Sequence, residues 1–411
     1  MESRTEPRRG LHAATPVGIA IGIGAALSLV VGLIVLAFAW PSVTAEPKDL
    51  PVAVAGPDAG VEQLESRVAD QAGGAVALER VDDRDAAVTA IERREAYGAI
   101  VLGDAPTDAP EVLVASAASP VVAQTLRAMA AELQQGIDAQ LREQLPTRLQ
   151  SVLQEAIRSA VEAALAQAAG QAPATPPAAP NVPELPSITV TVTDVVPLAD
   201  TDPRGTGLTA AMFPLIIGGM LGGIAISLRV IGAMRRVTAV LAYSVATGLL
   251  LTGILQGWFG ALQGDYWLNS AAIALAVAAI AAPITGFVAL MGRAGIGVGV
   301  LTFLLVANPI SAAAIPVEFL PEPWGAIGQW FPPGAAATLL RDLSYFPAAD
   351  TTFPWLVLVA WAAGGILLSL VGHFRTAGGA EPDDEAAHAD DAPPAPTAAS
   401  TTAGREATPV T

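Results

Sequence analysis

The sequence predicts an α-helical polytopic membrane protein with six transmembrane helices, both termini inside the cell, and an extracytoplasmic α/β insert that carries a long helix. Composition is the first observation behind this fold class: 14% of the 411 residues are charged, against about 25% in a soluble domain. The second observation is the layout of the apolar segments. One stands alone at residues 15–40, five are clustered at 208–374, and the more polar insert at 46–207 separates them.

The isolated apolar segment predicts an uncleaved signal anchor. A run of roughly 25 residues covers the roughly 30 Å core of a bilayer at about 1.5 Å per residue, and it exceeds the roughly 7–15 residues of a signal-peptide core. The N-terminal segment 1–14 carries Arg4, Arg8 and Arg9. Because arginine is retained on the cytoplasmic side, we expect this segment inside and the insert outside.

Short β-branched runs alternate with helical patterns in the first half of the insert. This alternation predicts a small α/β layer. Asp82 or Asp83 is expected to cap the second helix, which runs to Glu95. Further along, Ile188–Val196 alternates strictly between apolar and polar residues and predicts one more strand. The other predicted strands are Pro51–Gly56, Ala75–Val81, Tyr97–Gly103 and Glu111–Ala117.

A long helix is predicted at 119–169, with a break near Pro146. Ser119 followed by Pro120 is typical of a helix start, and apolar residues then recur every three or four positions as far as Leu165. Two interpretations remain open for this stripe. It covers the insert's own sheet, or it forms a coiled-coil-like arm for self-association or partner binding. The proline-rich residues 170–187 predict a semi-extended linker.

The second apolar block predicts five crossings whose ends obey the positive-inside rule. Arginines lie at the turns expected in the cytoplasm, while acidic residues predominate in the outer loops. Most tryptophans fall at the outer ends, where indole rings prefer the headgroup region. The expected crossings are 208–228, 237–259, 268–291, 295–317 and 354–374.

Composition and motifs disfavour several function classes. The chain has no cysteine, and its net charge of −17 disfavours nucleic acid as a partner. The five clustered spans hold no Asp, Glu, Lys or Arg in their interiors, which disfavours an ion-coupled secondary transporter. No G-x-x-x-x-G-K-[ST] motif is present, so we expect no ATP binding by a P-loop. We likewise expect no enzyme active site, no metal ligands and no cofactor.

Two features of the second block suggest close helix packing and a re-entrant hairpin. Gly218, Gly219, Gly222 and Gly223 form a small-residue face that serves either packing within the chain or a dimer contact. Prolines then crowd the segment before the last crossing, where two short amphipathic pieces predict a hairpin at 318–346 that dips into the outer leaflet. Its marked residues are Pro316, Glu318, Pro321, Pro332, Pro333, Gly334 and Arg341.

These features together resemble the ABC-2 type exporter permeases, in the branch related to YhgE/Pip proteins. The resemblance covers about 12–375 and rests on the six-span plan with a long first outer loop, on Thr193–Gly207, and on the proline-rich hairpin. It implies a bacterial plasma-membrane protein that pairs as a homodimer or with a second permease, among membrane lipids. It also implies that a separate ATP-binding subunit docks at the cytoplasmic turn containing Arg229, Arg235 and Arg236.

The expected function is therefore a permease subunit of an ABC-type exporter that moves an amphiphilic or envelope-related substrate. A second interpretation is a non-transporting scaffold or surface receptor, of the secretion-accessory or phage-infection type, which uses the extracytoplasmic domain. The residues that follow the last crossing, 375–411, are rich in Ala, Pro, Asp and Glu. Such a composition predicts a disordered, acidic cytoplasmic tail.

Overall fold

A computed structural model describes residues 17–105, 108–168 and 188–377. The predicted N-terminal segment 1–14, the proline-rich linker 170–187 and the tail beyond Ala377 lie outside the described residues. The strands are β1 Leu50–Ala55, β2 Val76–Arg80, β3 Gly98–Val101, β4 Glu111–Val114 and β5 Thr191–Asp194. The helices are α1 Val17–Val43, α2 Asp58–Ala72, α3 Arg84–Glu92, α4 Pro120–Ala168, α5 Thr206–Arg229, α6 Ala233–Thr252, α7 Tyr266–Met291, α8 Ala294–Val300, α9 Trp324–Gly328, α10 Pro332–Tyr345 and α11 Thr352–Ala377.

The five strands form one mixed sheet in the order β2-β1-β3-β4-β5. β1 pairs in parallel with β2 and β3, β4 runs antiparallel to β3, and β5 is parallel to β4. Helices α2 and α3 make the crossovers between the parallel strands. The predicted cap is confirmed, because the Asp83 carboxylate accepts a hydrogen bond of 2.8 Å from Ala86 N. The strands and α2–α4 are referred to below as the sheet domain.

Helix α4 is a single helix of 49 residues, and Pro146 lies inside it without ending it. The predicted break is therefore wrong. Its first four turns close the core of the sheet domain, where Val122, Leu126 and Ala130 are buried. Beyond Gln134, which hydrogen-bonds Ile188 O and Val190 N, the helix extends past the sheet. Four large apolar residues near its end are exposed: Leu153, Ile157, Val161 and Leu165.

Five helices of the described chain are long and apolar enough to cross a membrane, which indicates a polytopic membrane protein. They are α1, α5, α6 with its π-helical extension Gly253–Trp258, α7, and α11. Helix α7 is the centre of the bundle, since α5, α6, α8, α10 and α11 all pack against it. Its middle turns are rich in alanine and fully buried, which lets neighbouring backbones approach closely.

The predicted span at 295–317, the fifth of the six in chain order, is not confirmed. Seven residues of α8 are followed by seven π-helical residues, Leu301–Ala307, and the regular helix stops there. At about 1.5 Å per residue this segment covers about 20 Å, which is short of a bilayer core of about 30 Å. Asn308–Pro309 and Pro316 follow, and each proline lacks the backbone N–H that a helical hydrogen bond requires. The last span also ends later than predicted, because α11 continues to Ala377 and includes the first residues of the predicted tail.

Between α8 and α11 the chain leaves the helix bundle and reaches the sheet domain. It then returns along the bundle and comes back to the sheet domain before α11 begins. A 3₁₀ turn at Val317–Phe319 lies at the sheet domain, where Lys48 N donates a hydrogen bond to Glu318 O. The part of this segment that lies deepest along the bundle is near Trp330, whose carbonyl accepts a hydrogen bond of 2.8 Å from the Trp361 indole. Trp361 is nine residues into α11, or about 13 Å below its start. We call residues 318–346 the hairpin.

Helix α1 is nearly detached from the rest of the bundle. None of its most apolar window is buried, and its side chains are exposed along most of its length. Near its end, Phe38 lies edge-on to Phe213 of α5 and Trp40 lies edge-on to Trp324 of the hairpin. The first span therefore contacts the other helices mainly at the end nearest the sheet domain.

Candidate functional site

The candidate site lies where the hairpin meets the sheet domain. Phe346, the residue after α10, is 1% exposed and belongs to the apolar core of the sheet domain, not to that of the helix bundle. Phe319 and Tyr345 pack against the same core. Both ends of the hairpin are thus part of the sheet domain, while its tip is held by α11. This segment therefore contacts both the sheet domain and the helix bundle.

A cluster of buried polar groups crosses this junction. Arg94 follows α3 in the left-handed region (φ 59°), a conformation typical of helix ends. Its guanidinium forms a salt bridge with Asp342 of α10 and lies 5.5 Å from the centre of the Phe346 ring. The Asp342 side chain is 5% exposed. Nearby, the Tyr97 hydroxyl donates a hydrogen bond of 2.8 Å to the Glu318 carboxylate.

Burial shifts the ionisation of this cluster. It raises the pKa of the Tyr97 phenol, and the Glu318 charge adds to this effect, so Tyr97 stays a neutral donor. Burial also raises the pKa of Asp342, while Arg94 opposes this shift. The pKa of Arg341 is lowered to about 10 by burial and then by repulsion from Arg94. Arg341 therefore remains charged at neutral pH, at an energetic cost that its surroundings only partly offset.

A cavity of about 430 Å³ lies beside this cluster. We call it the junction cavity. Its walls come from the start of α4, from the segment before α5 with its first turn, from Ala261, from Ala314–Pro316 just before the hairpin, and from Arg341 and Tyr345 within it. Most of the wall is apolar, and its charged residues are Asp202, Arg204 and Arg341. The remaining wall residues include Ser119, Val121, Leu198, Thr209, Ala210, Ala261, Ile315, Pro316 and Tyr345.

The predicted hairpin residues fall at defined positions of this junction. Pro316 precedes the 3₁₀ turn and lines the cavity, Glu318 binds Tyr97, and the carbonyl of Pro321 accepts from Trp324 N. Pro332 and Pro333 begin α10, where a missing N–H has no cost. At Gly334 an added Cβ would lie 2.3 Å from Gly328 O, so only glycine fits. Arg341 donates a hydrogen bond of 3.1 Å to Ala313 O.

The predicted glycine face packs within the chain. Gly218 and Gly222 lie against Tyr243 of α6, whose hydroxyl donates a hydrogen bond of 2.7 Å to Gly218 O. Gly219 and Gly223 lie against α7. An added Cβ at Gly223 would be 2.8 Å from Ala281 O, so the close approach of α5 and α7 depends on this glycine. These four positions are covered by the chain's own helices.

The predicted coupling arginines lie at the end of the bundle away from the sheet domain. Arg229 is the last residue of α5, and Arg235 and Arg236 are in the first turn of α6. Only Val230–Gly232 separates the two helices, and Arg236 Nε donates a hydrogen bond of 2.8 Å to Val230 O. Beside them, Ile231 and Met234 are 82% and 69% exposed. The turn is therefore short, basic and apolar at once.

Sequence reasoning missed Arg94, Tyr97 and Asp342, the centre of the junction. Arg94 and Asp342 are separated by 248 positions, and no local pattern links them. The one available signal is Asp342 itself, an acidic residue in a short helix whose other neighbours are mostly apolar. Such a residue needs a buried partner. The described residues contain no group of three or more His, Cys, Asp or Glu placed to hold a metal ion.

Comparison with known proteins gives no relative for this arrangement. No protein-family model, no curated protein and no solved structure matches the chain.

Proposed function

We propose that this protein is the membrane-spanning subunit of an ABC-type exporter, driven by a separate ATP-binding subunit and located in a bacterial plasma membrane. The observation that carries the proposal is the hairpin, which is anchored in the sheet-domain core at Phe346 and in the helix bundle at Trp330. A rearrangement of the helices changes the position of α10 and hence the junction cavity. An exporter needs such a link between its membrane helices and its exit side.

The energy for this movement comes from outside the chain. The interiors of the apolar spans carry no acidic or basic residue that could bind a coupling ion or relay protons. The chain also lacks a P-loop motif. A partner that hydrolyses ATP meets this need, and the exposed Ile231 and Met234, flanked by arginines, provide the apolar and basic surface on which it docks.

The test is co-purification of the chain with a co-encoded ATPase, followed by measurement of ATP hydrolysis in vesicles. Replacing both Ile231 and Met234 with serine is expected to abolish the association, because it removes the exposed apolar docking surface. Leu165→Ser is the matched control, since Leu165 is 64% exposed and lies on the far part of α4. Absence of any ATPase association in the unaltered protein overturns the proposal.

The second candidate function is a non-transporting scaffold or surface receptor. It is favoured by the far part of α4, where Leu153, Ile157, Val161 and Leu165 are each more than half exposed. Soluble helices that expose such a stripe usually bury it against a partner helix. If this alternative holds, substitution of these four residues abolishes partner binding. ATPase association and export are then either unaffected by the substitution or already absent in the unaltered protein.

A cysteine-free chain allows a direct test of that alternative. Ile157→Cys places the only thiol of the protein on the exposed stripe. A disulfide-linked dimer that forms in membranes, and that disappears when Leu153 and Val161 are also replaced with serine, supports self-association through α4. Absence of this disulfide, together with ATPase-dependent export, supports the exporter.

A further inference from the structure

The junction cavity has the size and position of a ligand site. Its volume of about 430 Å³ is within the roughly 300–1,000 Å³ of small-molecule sites. It lies at the first turn of α5, where an apolar span begins, so one side faces the sheet domain and the other faces the level at which lipid headgroups meet protein. The wall is mostly apolar, with few polar groups, as in sites that take an amphiphilic molecule.

Arg341 supplies a cation whose hydrogen-bonding capacity is not used up. A guanidinium carries five N–H donors, and the one hydrogen bond found for Arg341 is to Ala313 O. Among the described residues, no carboxylate lies within salt-bridge distance of it. Asp342 is bound by Arg94, and Glu318 accepts from Tyr97. The side chain is only partly exposed and lines the cavity, so a bound anion would supply the missing acceptors.

The other charged groups of the cavity strengthen its positive character. Arg204 is exposed at the cavity wall and has no ion pair with any described residue. Asp202, the acidic residue of the same cavity wall, is hydrogen-bonded to the start of α5. Its carboxylate accepts hydrogen bonds from Thr206 N at 3.1 Å and from Gly207 N at 2.7 Å. The first turn of α4, the positive end of a 49-residue helix, also lines the cavity.

The apolar walls continue toward the membrane. Ala210 lines the cavity and is exposed, and Phe213, about one turn further along α5, is 47% exposed and lies edge-on to Phe38 of α1. An acyl chain can therefore follow this side of α5 from the cavity. We infer that the junction cavity binds an anionic amphiphile, with its phosphate or carboxylate head at Arg341 and Arg204 and its apolar chain along Ala210 and Phe213.

This site is independent of the proposed export function, because binding is measured on the purified full-length protein without an ATPase. The probes are dioleoylphosphatidylglycerol as the anionic lipid, dioleoylphosphatidylcholine as the zwitterionic lipid of equal chain length, and inorganic phosphate. Native mass spectrometry counts the lipids retained per chain. We expect one phosphatidylglycerol to be retained at least about tenfold more tightly than phosphatidylcholine, the effect of a hydrogen-bonded charge pair.

Three variants test the site itself. Arg341→Gln and Arg204→Glu are each expected to weaken phosphatidylglycerol binding about tenfold or more. Arg204→Glu keeps the test decisive if Arg341→Gln does not fold, because Arg204 is exposed and forms no ion pair with a described residue. Ala210→Phe fills the cavity without changing a charge and is expected to reduce binding as well. Arg67→Glu, an exposed residue of α2 away from the cavity, is the matched control and leaves binding unchanged.

Two results would overturn the inference. Equal retention of the two lipids by the unaltered protein, or unchanged phosphatidylglycerol binding in both Arg204→Glu and Ala210→Phe, excludes the cavity as an anionic-lipid site. If inorganic phosphate displaces the lipid at equal concentration, the site recognises a free anion and the apolar part of the proposal is wrong. Loss of ATPase association, by contrast, bears only on the exporter.

Discussion

The two ends of the helix bundle differ sharply in how they are built. At the end nearest the sheet domain, the hairpin, a buried salt bridge and a cavity occupy the space between the two bodies. At the other end, α5 is joined to α6 by Val230–Gly232 and α7 to α8 by Gly292–Arg293, and the turn residues are largely exposed. One end is therefore held together by buried contacts within the chain, whereas the other presents a small exposed surface. Mutations at the end nearest the sheet domain should therefore lower stability. Mutations at the other end should instead weaken association with a partner.

The largest stability effect is expected for Asp342→Ala. The substitution leaves the Arg94 side chain, 17% exposed, without its carboxylate and next to the positive charge of Arg341. Breaking a buried ion pair in this way costs about 3–5 kcal/mol. Thermal unfolding of the purified protein in detergent measures the loss. Asp58→Ala, which removes an exposed ion pair with Arg80, is the control and should cost less than about 1 kcal/mol. Equal effects of the two substitutions would remove the distinction drawn between the junction and the surface.

A smaller loss is expected for Tyr97→Phe. This change deletes the hydroxyl that donates to Glu318 and leaves that carboxylate with one fewer donor in a partly buried site. The expected cost is about 1–3 kcal/mol. Limited proteolysis should also cut the hairpin faster, because Tyr97 ties its first end to β3. Tyr266→Phe, whose hydroxyl donates to Leu249 O at an exposed position, serves as the control. An unchanged proteolysis rate in Tyr97→Phe would show that this hydrogen bond does not hold the hairpin.

Glu111→Gln is expected to produce a still smaller and pH-dependent effect. The hydrogen bond from Arg84 lowers the pKa of Glu111, so its folded-state value is below that of the unfolded chain. The stabilisation is therefore present above the ordinary Glu pKa of about 4.3 and is lost as the pH falls through the lowered folded value. At pH 7 the free energy of unfolding of the unaltered protein should exceed that of the variant by at most about 1 kcal/mol. In strong acid the two free energies should be equal. Denaturant unfolding at several pH values measures this. A difference between the two proteins that persists in acid would contradict the linkage.

At the other end of the bundle, Ile231→Ser should leave stability within about 0.5 kcal/mol of the unaltered protein. Ile231 is 82% exposed, so the substitution removes no buried contact. Its expected effect is on ATPase association instead. A large loss of stability together with unchanged association would reverse the roles assigned to the two ends.

Much of the fold is readable from local sequence patterns. The apolar runs predicted the long helices α1, α5, α6, α7 and α11, because length and hydropathy alone decide whether a helix can cross a bilayer. Each strand also lies within or beside a segment expected to be extended, and the Asp83 cap is where local chemistry places it. These features depend on residues that are neighbours along the chain.

Features that depend on distant residues were not predictable in this way. Apolarity alone predicts a span at 295–317, yet its apolar helix is limited to Ala294–Ala307 and ends in a π-helical segment before Pro309. The break at Pro146 was read from a local rule that α4 does not follow. Prediction of the junction requires the left-handed backbone conformation of Arg94 and the burial of Asp342 against it. These residues belong to distant segments, and neither segment alone indicates the contact. Arg341 and Glu318 were singled out from the hairpin alone, but their partners were not.

The most direct test of the proposed role is ATP hydrolysis in vesicles that contain this chain and its co-encoded ATPase. The proposal predicts stable association and a hydrolysis rate that exceeds that of the ATPase alone, and both should be lost when Ile231 and Met234 are replaced with serine. No association, or a rate that is the same with and without this chain, would contradict it.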